Sequence, residues 1–317
     1  MKPGFLFVFC LLGICGSLLA QQDEQLQDSL ENERLAQMVT LSEVVTNNKL
    51  NVPSFIDRVK KDTTFYKAFK NLRILSFSSL NNIVMKDKRG AQIASLNSKT
   101  HQVYKDDCRT MTKEYEKTTG DMTDGEGNYN YYTAELYAGL FFTAGKVCGE
   151  NNIVGAAGLN PKSKSGIAKR KEQLKMLFFN PGKRIPGIPL MGEKSNVFDP
   201  RVADLYDYTI DYVSYKGQRA YKFEIKAKEG LSGSDRNKIV YDNMTTWFND
   251  HNFEIMGRTY ALSYNTGAYD FNVQMEVELT HVGKLLVPSV LRYIGNWDII
   301  FKKRERGLFT ATLFNFR

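Results

Sequence analysis

The sequence predicts an α+β fold in which N-terminal helices precede a curved antiparallel β-sheet, an open half-barrel. Three observations support this prediction. Apolar residues fall at helical spacing early in the chain, apolar and polar residues alternate in its last third, and aromatic residues, which favour strands, make up 12% of it. With 317 residues, 42% of them hydrophobic, the chain can bury a sizeable core, and this composition excludes a disordered protein.

The first twenty residues, 1–20, have the pattern of a secretory signal peptide. Lys2 precedes an uncharged run over 5–19 that is too short to span a membrane comfortably, and the polar Gln21 follows. We expect cleavage after Ala20. No later segment approaches 18 uncharged apolar residues, so the sequence predicts an exported protein that is periplasmic or associated with the outer membrane.

Residues 21–72 form a helical leader. Apolar residues at helical spacing over 35–45 predict one helix that ends near residues 47–48. A second helix is predicted around Pro53, because proline is tolerated in a first helical turn. A third is predicted to begin at 62–64, where an Asp or Thr side chain can cap it.

Residues 73–200 form a mixed α/β segment. Apolar residues on both sides of a turn at 86–90 predict a β-hairpin, and residues 109–118 predict a further, polar strand. The aromatic run 129–142 fits either a buried helix or a strand. Residues 167–178 predict a basic helix.

Positive charge is concentrated around this basic helix. Nine basic and two acidic residues lie between Lys162 and Lys194. In an exported protein such a segment meets the anionic outer-membrane surface first, and we expect no nucleic-acid partner. A solvated helix face is the alternative interpretation. The candidate basic surface consists of Lys169, Arg170, Lys171, Lys175, Lys183 and Arg184.

Residues 201–317 form an antiparallel β meander. Apolar residues alternate with charged residues over 221–227 and with polar residues over 271–279, as in half-buried strands. Eight strands are predicted, separated by turns that include 295–296. A sheet of this size must curl or be covered to hide its apolar face.

Two of the four cysteines, Cys10 and Cys15, leave with the signal peptide. The remaining pair, Cys108 and Cys148, lies in a compartment where disulfides persist. A bridge that closes a loop of about 40 residues stabilises a protein by roughly 3 to 4 kcal/mol. Two separate small apolar residues are the alternative.

Three segments in the last third of the sequence resemble those of a known family: YDYTIDYVSYKGQRAYKFEIKAK, TTWFNDHNFEIMGRTY and VELTHVGKLLVPSVLRYIGNWDIIFKKRERGLFTATLFNF. Over about residues 200–317 the chain resembles the outer-membrane lipoprotein-sorting, LolA/LolB-like proteins of didermal bacteria. The resemblance implies an unclosed barrel with helices over its mouth and a hydrophobic cavity that accepts acyl chains. The chain departs from that family in its greater length and in the extra segments 120–127 and 149–166.

A strongly curved sheet leaves an apolar pocket wherever its inward side chains do not fill the concavity. We therefore expect a ligand-sized cavity near Trp247 and Trp297. Plain core packing is the alternative role for each candidate. The candidate cavity residues are Tyr221, Phe223, Trp247, Phe271, Trp297 and Phe301.

The sequence contains none of the common catalytic motifs. It has no nucleophile elbow, P-loop, zinc-protease helix or dinucleotide fingerprint. His101, His251 and His281 are its only histidines, and none has a metal-ligand spacing, so we expect no metal and no cofactor.

The sequence thus predicts a non-enzymatic envelope protein that binds a lipid or another hydrophobic ligand, as a carrier or in outer-membrane maintenance. Three alternatives remain. The first is a structural protein docked on the outer membrane, the second a glycan hydrolase, and the third an integral outer-membrane barrel. The aromatic ending over 313–316 favours the barrel, whereas the helical leader argues against it.

Overall fold

The computed structural model describes residues 23, 25–43, 45, 50–154, 176–184, 194–265, 269–299 and 304–317. The expected signal peptide lies outside these residues. The labelled helices are α1 (25–38), α2 (Val52–Lys61), α3 (Thr64–Asn71), α4 (Tyr132–Phe141), α5 (Pro200–Ala203) and α6 (Gly233–Arg236), and residues 43, 45 and 176–179 are also helical. The strands are β1 (Val39–Leu41), β2 (Phe77–Lys86), β3 (Gln92–Lys105), β4 (Cys108–Gly120), β5 (Lys146–Cys148), β6 (Tyr206–Tyr215), β7 (Gln218–Ala227), β8 (Tyr241–Asn249), β9 (Ile255–Asn265), β10 (Tyr269–Val282), β11 (Leu285–Ile299) and β12 (Glu305–Phe314).

All of these strands belong to one sheet, in the order β1-β6-β7-β8-β9-β10-β11-β12-β2-β3-β4-β5. Neighbouring strands are antiparallel except β1 and β6, which are parallel. Within the described residues no pairing joins β1 to β5, so the sheet is open. The α+β prediction is therefore confirmed. Because β12 pairs with β2, the mixed segment and the meander share this sheet.

Helices cover one face of the sheet, which we call the inner face; the opposite one is the outer face. Phe55 of α2 packs against Phe223 and Phe248, with ring centroids 5.5 and 5.3 Å apart. Tyr137 of α4 contacts Phe309 of β12. These contacts bury the apolar side of the alternating strands, which is the covering that a sheet of this size requires.

The second and third predicted helices are confirmed as α2 and α3. Pro53 lies in the first turn of α2, where its missing N–H has no intrahelical partner to lose. The Asn51 side chain accepts a hydrogen bond from the Ser54 backbone N–H at 2.9 Å. Asp62, one residue before the N-cap Thr63 of α3, accepts one from the Thr64 backbone N–H at 3.2 Å, so side-chain hydrogen bonds mark where the two helices begin.

The first predicted helix is interrupted by a short strand, and residues 43 and 45 beyond this strand are again helical. Helix α1 ends at residue 38, and the chain continues as β1, which pairs in parallel with β6 over 208–210. The β-branched residues Val39 and Thr40 fit a strand as well as a helix, and the unpaired edge of β6 decides between them.

The hairpin predicted after residue 74 is confirmed as β2 and β3. Asp87 holds its turn by accepting hydrogen bonds from the backbone N–H groups of Arg89 and Ala91, at 2.8 and 2.9 Å. The polar strand predicted over 109–118 falls within β4. The run 129–142, which the sequence left open between helix and strand, contains α4.

The predicted turn at 295–296 is wrong. Strand β11 passes through it without a break, and Gly295 pairs with both Val273 and Gly307. A Cβ atom at Gly295 would lie 1.9 Å from the Tyr293 hydroxyl. The glycine makes room for this ring rather than for a turn, so the described meander over 201–317 contains seven strands instead of eight.

Candidate ligand site

Four of the predicted cavity residues belong to the packed core. Tyr221, Phe223, Phe271 and Trp297 are between 2% and 9% exposed. The rings of Phe271 and Trp297 lie 4.9 Å apart. The inner face over β7 to β9, with Phe271 and Trp297 beside it, is therefore occupied by the protein's own side chains, and we call it the filled half.

Trp247 departs from the expected cavity because it lies on the outer face. It pairs with Lys222 of β7 and Gly257 of β9, on the side of the sheet that carries the charged residues. Its ring stacks on that of Tyr215, with centroids 4.6 Å apart. Trp247 and Trp297 both lie on strands whose side chains alternate between the two faces of the sheet. The register shift beside Trp247 leaves its side chain on the outer face. Phe301 lies outside the described residues.

Most of the candidate basic surface, Lys169, Arg170, Lys171 and Lys175, also lies outside the described residues, as does the predicted helix up to residue 175. Residues 176–179 are helical, and all four side chains are buried. The Tyr241 and Tyr260 hydroxyls donate to the carbonyl oxygens of Leu177 and Phe178. The C-terminal end of the predicted basic helix is therefore apolar and packs against the inner face of the sheet.

Of the remaining two basic residues, Arg184 is exposed but Lys183 is not. The Lys183 ammonium donates to the backbone oxygens of Val59 and Lys60 at the end of α2. Burial lowers the pKa of this group to about 8. The prediction that Lys183 belongs to the basic surface is therefore corrected. Its ammonium points inward because the C-terminal end of α2 carries partial negative charge.

Beside the filled half lies the pocket half of the inner face, formed by β12, β2 and β3 with Met275 of β10 and Tyr293 of β11, and covered by α3 and α4. Its first cavity is apolar, with a volume of about 40 Å³. This apolar cavity lies between α4, residues 178–179 and the sheet. Its walls include Met85, Tyr137, Met275, Tyr293 and Phe309.

A second cavity of about 100 Å³ adjoins the first and is partly polar. It lies beneath α3 and the end of α4. Aromatic side chains such as Phe77 and Phe142 line one side of this polar cavity. Its charged lining residues are Lys70, Arg73, Arg109 and Glu150.

The floor of the polar cavity is a row of hydroxyl and amide side chains on the inner face. Ser79 and Thr100 face each other across β2 and β3, and their hydroxyl oxygens are 2.7 Å apart. Asn81 donates to the Ser79 hydroxyl at 3.0 Å. We call the five residues of this row, Ser79, Asn81, Ser98, Thr100 and Gln102, the polar floor; they are between 1% and 5% exposed. Ser79, Asn81 and Gln102 line the cavity, and Ser98 and Thr100 adjoin them through hydrogen bonds.

Gln102 connects this floor to the charged groups. Its amide N–H groups donate to the carbonyl oxygens of Leu72 and Leu75, at 2.7 and 2.8 Å. Its carbonyl oxygen accepts from the Thr143 hydroxyl at 3.0 Å and from Arg109 at 3.4 Å. A buried amide satisfied on both sides holds the rim of the cavity in one arrangement.

The cation pair at the rim binds a single carboxylate. Arg109 contacts the Glu150 carboxylate through Nε, and Arg73 Nη1 lies 3.4 Å from its other oxygen. All three side chains are half-buried, which screens their charges less than at a fully exposed site.

A disulfide between Cys108 and Cys148 closes the edge of the sheet beside this rim. It joins β4 to β5, where Arg109 pairs with Val147. The segment 149–154, which we call the strap, follows directly; its Glu150 lines the polar cavity, and Asn152 and Ile153 contact α3. The bridge thus fixes where the strap begins, and with it the position of Glu150.

The sequence prediction missed the polar floor, the cation pair and the two cavities. A signal was present: serine, asparagine and threonine occupy 79, 81, 98 and 100, positions which the strand alternation places on the apolar side. Buried polar residues are more informative than buried apolar ones. Among the described residues, no group of three or more His, Cys, Asp or Glu is arranged to hold a metal ion.

Comparisons with known proteins give little beyond this geometry. One solved structure, described as an outer-membrane lipoprotein-sorting protein domain from Vibrio parahaemolyticus, is 6% identical, with 78% of this chain and 88% of that one covered at a TM-score of 0.27. A doubly substituted porin from Rh. blastica is 10% identical, with 76% and 99% covered at a TM-score of 0.16. No protein-family model and no curated protein matches the chain.

The fold class therefore rests on the chain's own strands and helices, not on these likenesses. In the part of the chain that the structure describes, no helix has the length and hydrophobicity needed to cross a membrane.

Proposed function

We propose that the protein is a non-enzymatic, exported envelope protein that binds a small amphiphile in the pocket half of its inner face. The observation that carries this proposal is the contiguity of the two cavities. Leu140, Phe141 and Phe179 line both of them. An amphiphile with its head in the polar cavity and its chain in the apolar one requires only these side chains to move aside.

The volumes limit the size of the ligand. An engineered apolar cavity of about 150 Å³ takes up benzene, and pockets for drug-sized ligands measure about 300 to 1,000 Å³. At about 100 and 40 Å³, the two cavities match a small polar head and the first part of an alkyl chain. A longer acyl chain requires displacement of α4.

Helix α4 is hydrogen-bonded to the sheet at its beginning, whereas Tyr137 and Phe141 further along it contact the sheet only through packing on Phe309. The Glu305 carboxylate of β12 accepts hydrogen bonds from the backbone N–H groups of Tyr132 and Thr133, at 2.9 and 2.8 Å. Leu140 and Phe141, which separate the cavities, lie at the opposite end of the helix. A pivot at the Glu305 cap would therefore merge the two cavities while α4 remained attached.

The charged and disulfide-bonded residues support the other parts of the proposal. Among its described lining residues, the polar cavity has one carboxylate, Glu150, and no histidine, so it lacks the paired groups of an acid–base catalyst. The bridge between Cys108 and Cys148 fits an oxidising compartment, which supports export.

Methionine methyl NMR during a titration with 1-octanol tests the proposal. Met85 and Met275 line the apolar cavity, whereas Met244 is buried in the filled half, on β8. We expect saturable shifts of the Met85 and Met275 methyl signals and none at Met244. Equal shifts at all three methionines, or no shift with either 1-octanol or the anionic octanoate up to their solubility, would overturn the proposal.

A pair of substitutions on β12 provides the matched control. Gly307 lines the apolar cavity, and a Cβ atom there meets its nearest neighbour, the Thr133 hydroxyl, at an ordinary 3.5 Å. Gly307→Val therefore fills the cavity without a clash at Cβ and is expected to abolish the octanol shifts. Thr312→Val, at an exposed position on the same strand, is expected to keep them.

A further inference from the structure

The polar cavity is lined by cationic side chains. Its lining contains three cations and one anion among the described residues. Lys70 donates to the Ile153 carbonyl oxygen, so this ammonium is directed at the strap, and Arg73 and Arg109 lie at the rim. Two arginines that contact one carboxylate in a partly desolvated cavity favour the binding of an anion.

The chain itself shows what this rim can bind. Both carboxylate oxygens of Glu150 are contacted by arginines, one by Arg109 Nε and the other by Arg73 Nη1. The Arg109 Nη1 atom is held by the Thr143 hydroxyl and the Gln102 carbonyl oxygen, which fix the plane of the guanidinium. The two arginines thus form a cradle for one carboxylate-sized anion.

Glu150 can leave this cradle without movement of the strap. The strap is anchored independently by the disulfide at Cys148 and by the Asn152 amide, which donates to the Asn71 side-chain oxygen at 2.8 Å. Residue 150 lies in neither a helix nor a strand, so rotation of its side chain breaks no backbone hydrogen bond of a helix or strand.

We infer that Arg73 and Arg109 bind the anionic head group of the amphiphile, and that the Glu150 carboxylate occupies this position while no ligand is bound. The inference rests on the proposed function and specifies its ligand class. A carboxylate or a phosphate monoester has the charge and the geometry that guanidinium groups recognise. The polar floor, with Asn81 and Ser79 beneath the same cavity, offers hydrogen bonds to the rest of the head.

Three ligands separate the head from the chain. Octanoate has both an anionic head and an alkyl chain, 1-octanol has the chain with a neutral head, and acetate has the anion alone. With the purified protein at pH 7.5 and low salt, we expect octanoate to bind about tenfold more tightly than 1-octanol, because hydrogen bonds between charged groups exceed neutral ones. Acetate is expected to bind much more weakly than octanoate.

Two substitutions at the rim act in opposite directions. Arg73→Gln removes one cation and is expected to reduce octanoate affinity about tenfold, with partial rescue in Arg73→Lys. Glu150→Gln removes the competing carboxylate and is expected to raise octanoate affinity severalfold. Neither substitution is expected to change 1-octanol affinity, and Arg184→Gln, at an exposed position, serves as the charge-matched control.

Each alternative result has a distinct meaning. Equal binding of octanoate and 1-octanol, or equal effects of the rim substitutions on both, overturns the inference but leaves the proposed function. Acetate binding as tight as that of octanoate also overturns it, since the cradle would then be a site for free anions. Failure of both octanoate and 1-octanol to bind overturns the proposed function itself.

Discussion

The two halves of the inner face bury their side chains in different ways. In the filled half, Phe55 of α2 inserts among four aromatic rings, with centroids 5.3 to 6.4 Å away. In the pocket half, α4 covers polar side chains of β2 and β3 and leaves two cavities between itself and the sheet. One part of the sheet is thus stabilised by close packing of aromatic rings. In the other part, polar side chains are ordered by hydrogen bonds, and the space above them is not completely filled.

The halves also differ in how they accommodate positive charge. Arg258 is buried in the filled half, where its guanidinium lies 4.4 Å from the centre of the Phe65 ring and donates to the Thr246 hydroxyl. Lys183 contacts backbone oxygens there. In the pocket half, Arg73 and Arg109 contact a carboxylate on the strap. Only the second arrangement offers an anion that a ligand can replace.

The largest effect is expected in the filled half, from Phe55→Ala. Truncating a buried phenylalanine costs about 3 to 5 kcal/mol of unfolding free energy, and Phe55 is 3% exposed. Urea denaturation measures the change. Leu80→Ala, at a position 52% exposed on β2, is the control and is expected to change stability by less than about 0.5 kcal/mol. A loss below about 1 kcal/mol at Phe55 would show that the filled half is loosely packed.

The disulfide gives the largest expected effect in the pocket half. Its two cysteines are 40 residues apart, so the double substitution Cys108→Ser and Cys148→Ser is expected to lower the unfolding free energy by about 3 to 4 kcal/mol. Urea denaturation of the variant, with reduced wild-type protein for comparison, measures the loss. A loss below about 1 kcal/mol would mean that the contacts of the strap with α3 hold this edge without the bridge.

A smaller effect concerns the buried charge of Lys183. Because burial lowers the pKa of its ammonium to about 8, the folded protein releases this proton at a pH where the unfolded chain, with an ordinary lysine pKa of 10.5, still holds it. The free energy of unfolding is therefore expected to rise from pH 7.5 to 9.5, by about 1 to 2 kcal/mol from this group. Denaturation at several pH values measures the slope.

Lys183→Met is expected to remove that part of the rise, whereas Lys228→Met, at an exposed position, is expected to keep the wild-type profile. An unchanged profile in Lys183→Met would show that the ammonium is solvated. It would then belong to the basic surface that the sequence predicted, rather than to the interior of the filled half.

The sequence predicted the sheet well because alternation and turn residues are local signals. The hairpin at 86–90 and the strand over 271–279 follow from spacing alone. Two errors were tertiary in origin. Gly295 resembles a turn residue but accommodates the Tyr293 ring, and the bound edge of β6 converts 39–41 from helix to strand. In both cases a partner distant in sequence or space determines the conformation.

The candidate site was less predictable than the sheet. Alternation of apolar and polar residues shows which side chains lie on the inner face, but not where cavities remain between that face and the helices. Trp247 and Trp297 were grouped by residue type, although they lie on opposite faces. The unfilled part follows from where α4 and residues 176–179 rest, which no local pattern specifies. Polar residues at inward positions, such as Ser79 and Thr100, were the available signal, and they mark the pocket half.

The smallest effect on stability is expected from removing part of that polar floor. In the double substitution Ser79→Ala and Thr100→Val, both hydroxyls of one hydrogen bond disappear together, so neither is left unsatisfied, and Asn81 retains the Ser98 hydroxyl as a partner at 3.4 Å. The unfolding free energy is therefore expected to change by less than about 1 kcal/mol. Urea denaturation measures this change, with Thr310→Val, at an exposed position on β12, as the control.

The same double variant is expected to weaken 1-octanol binding severalfold in the NMR titration, because the octanol hydroxyl loses the Ser79 hydroxyl as a partner in the lining of the polar cavity. If stability instead falls by more than about 3 kcal/mol, the polar floor holds the sheet together in the way the aromatic rings hold the filled half. If stability and octanol affinity are both unchanged, the head of the ligand does not reach the floor. The filled half and the pocket half would then differ only in how closely their side chains pack. The polar floor would neither stabilise the fold nor contact the ligand, so it could not explain why a cavity lies above it.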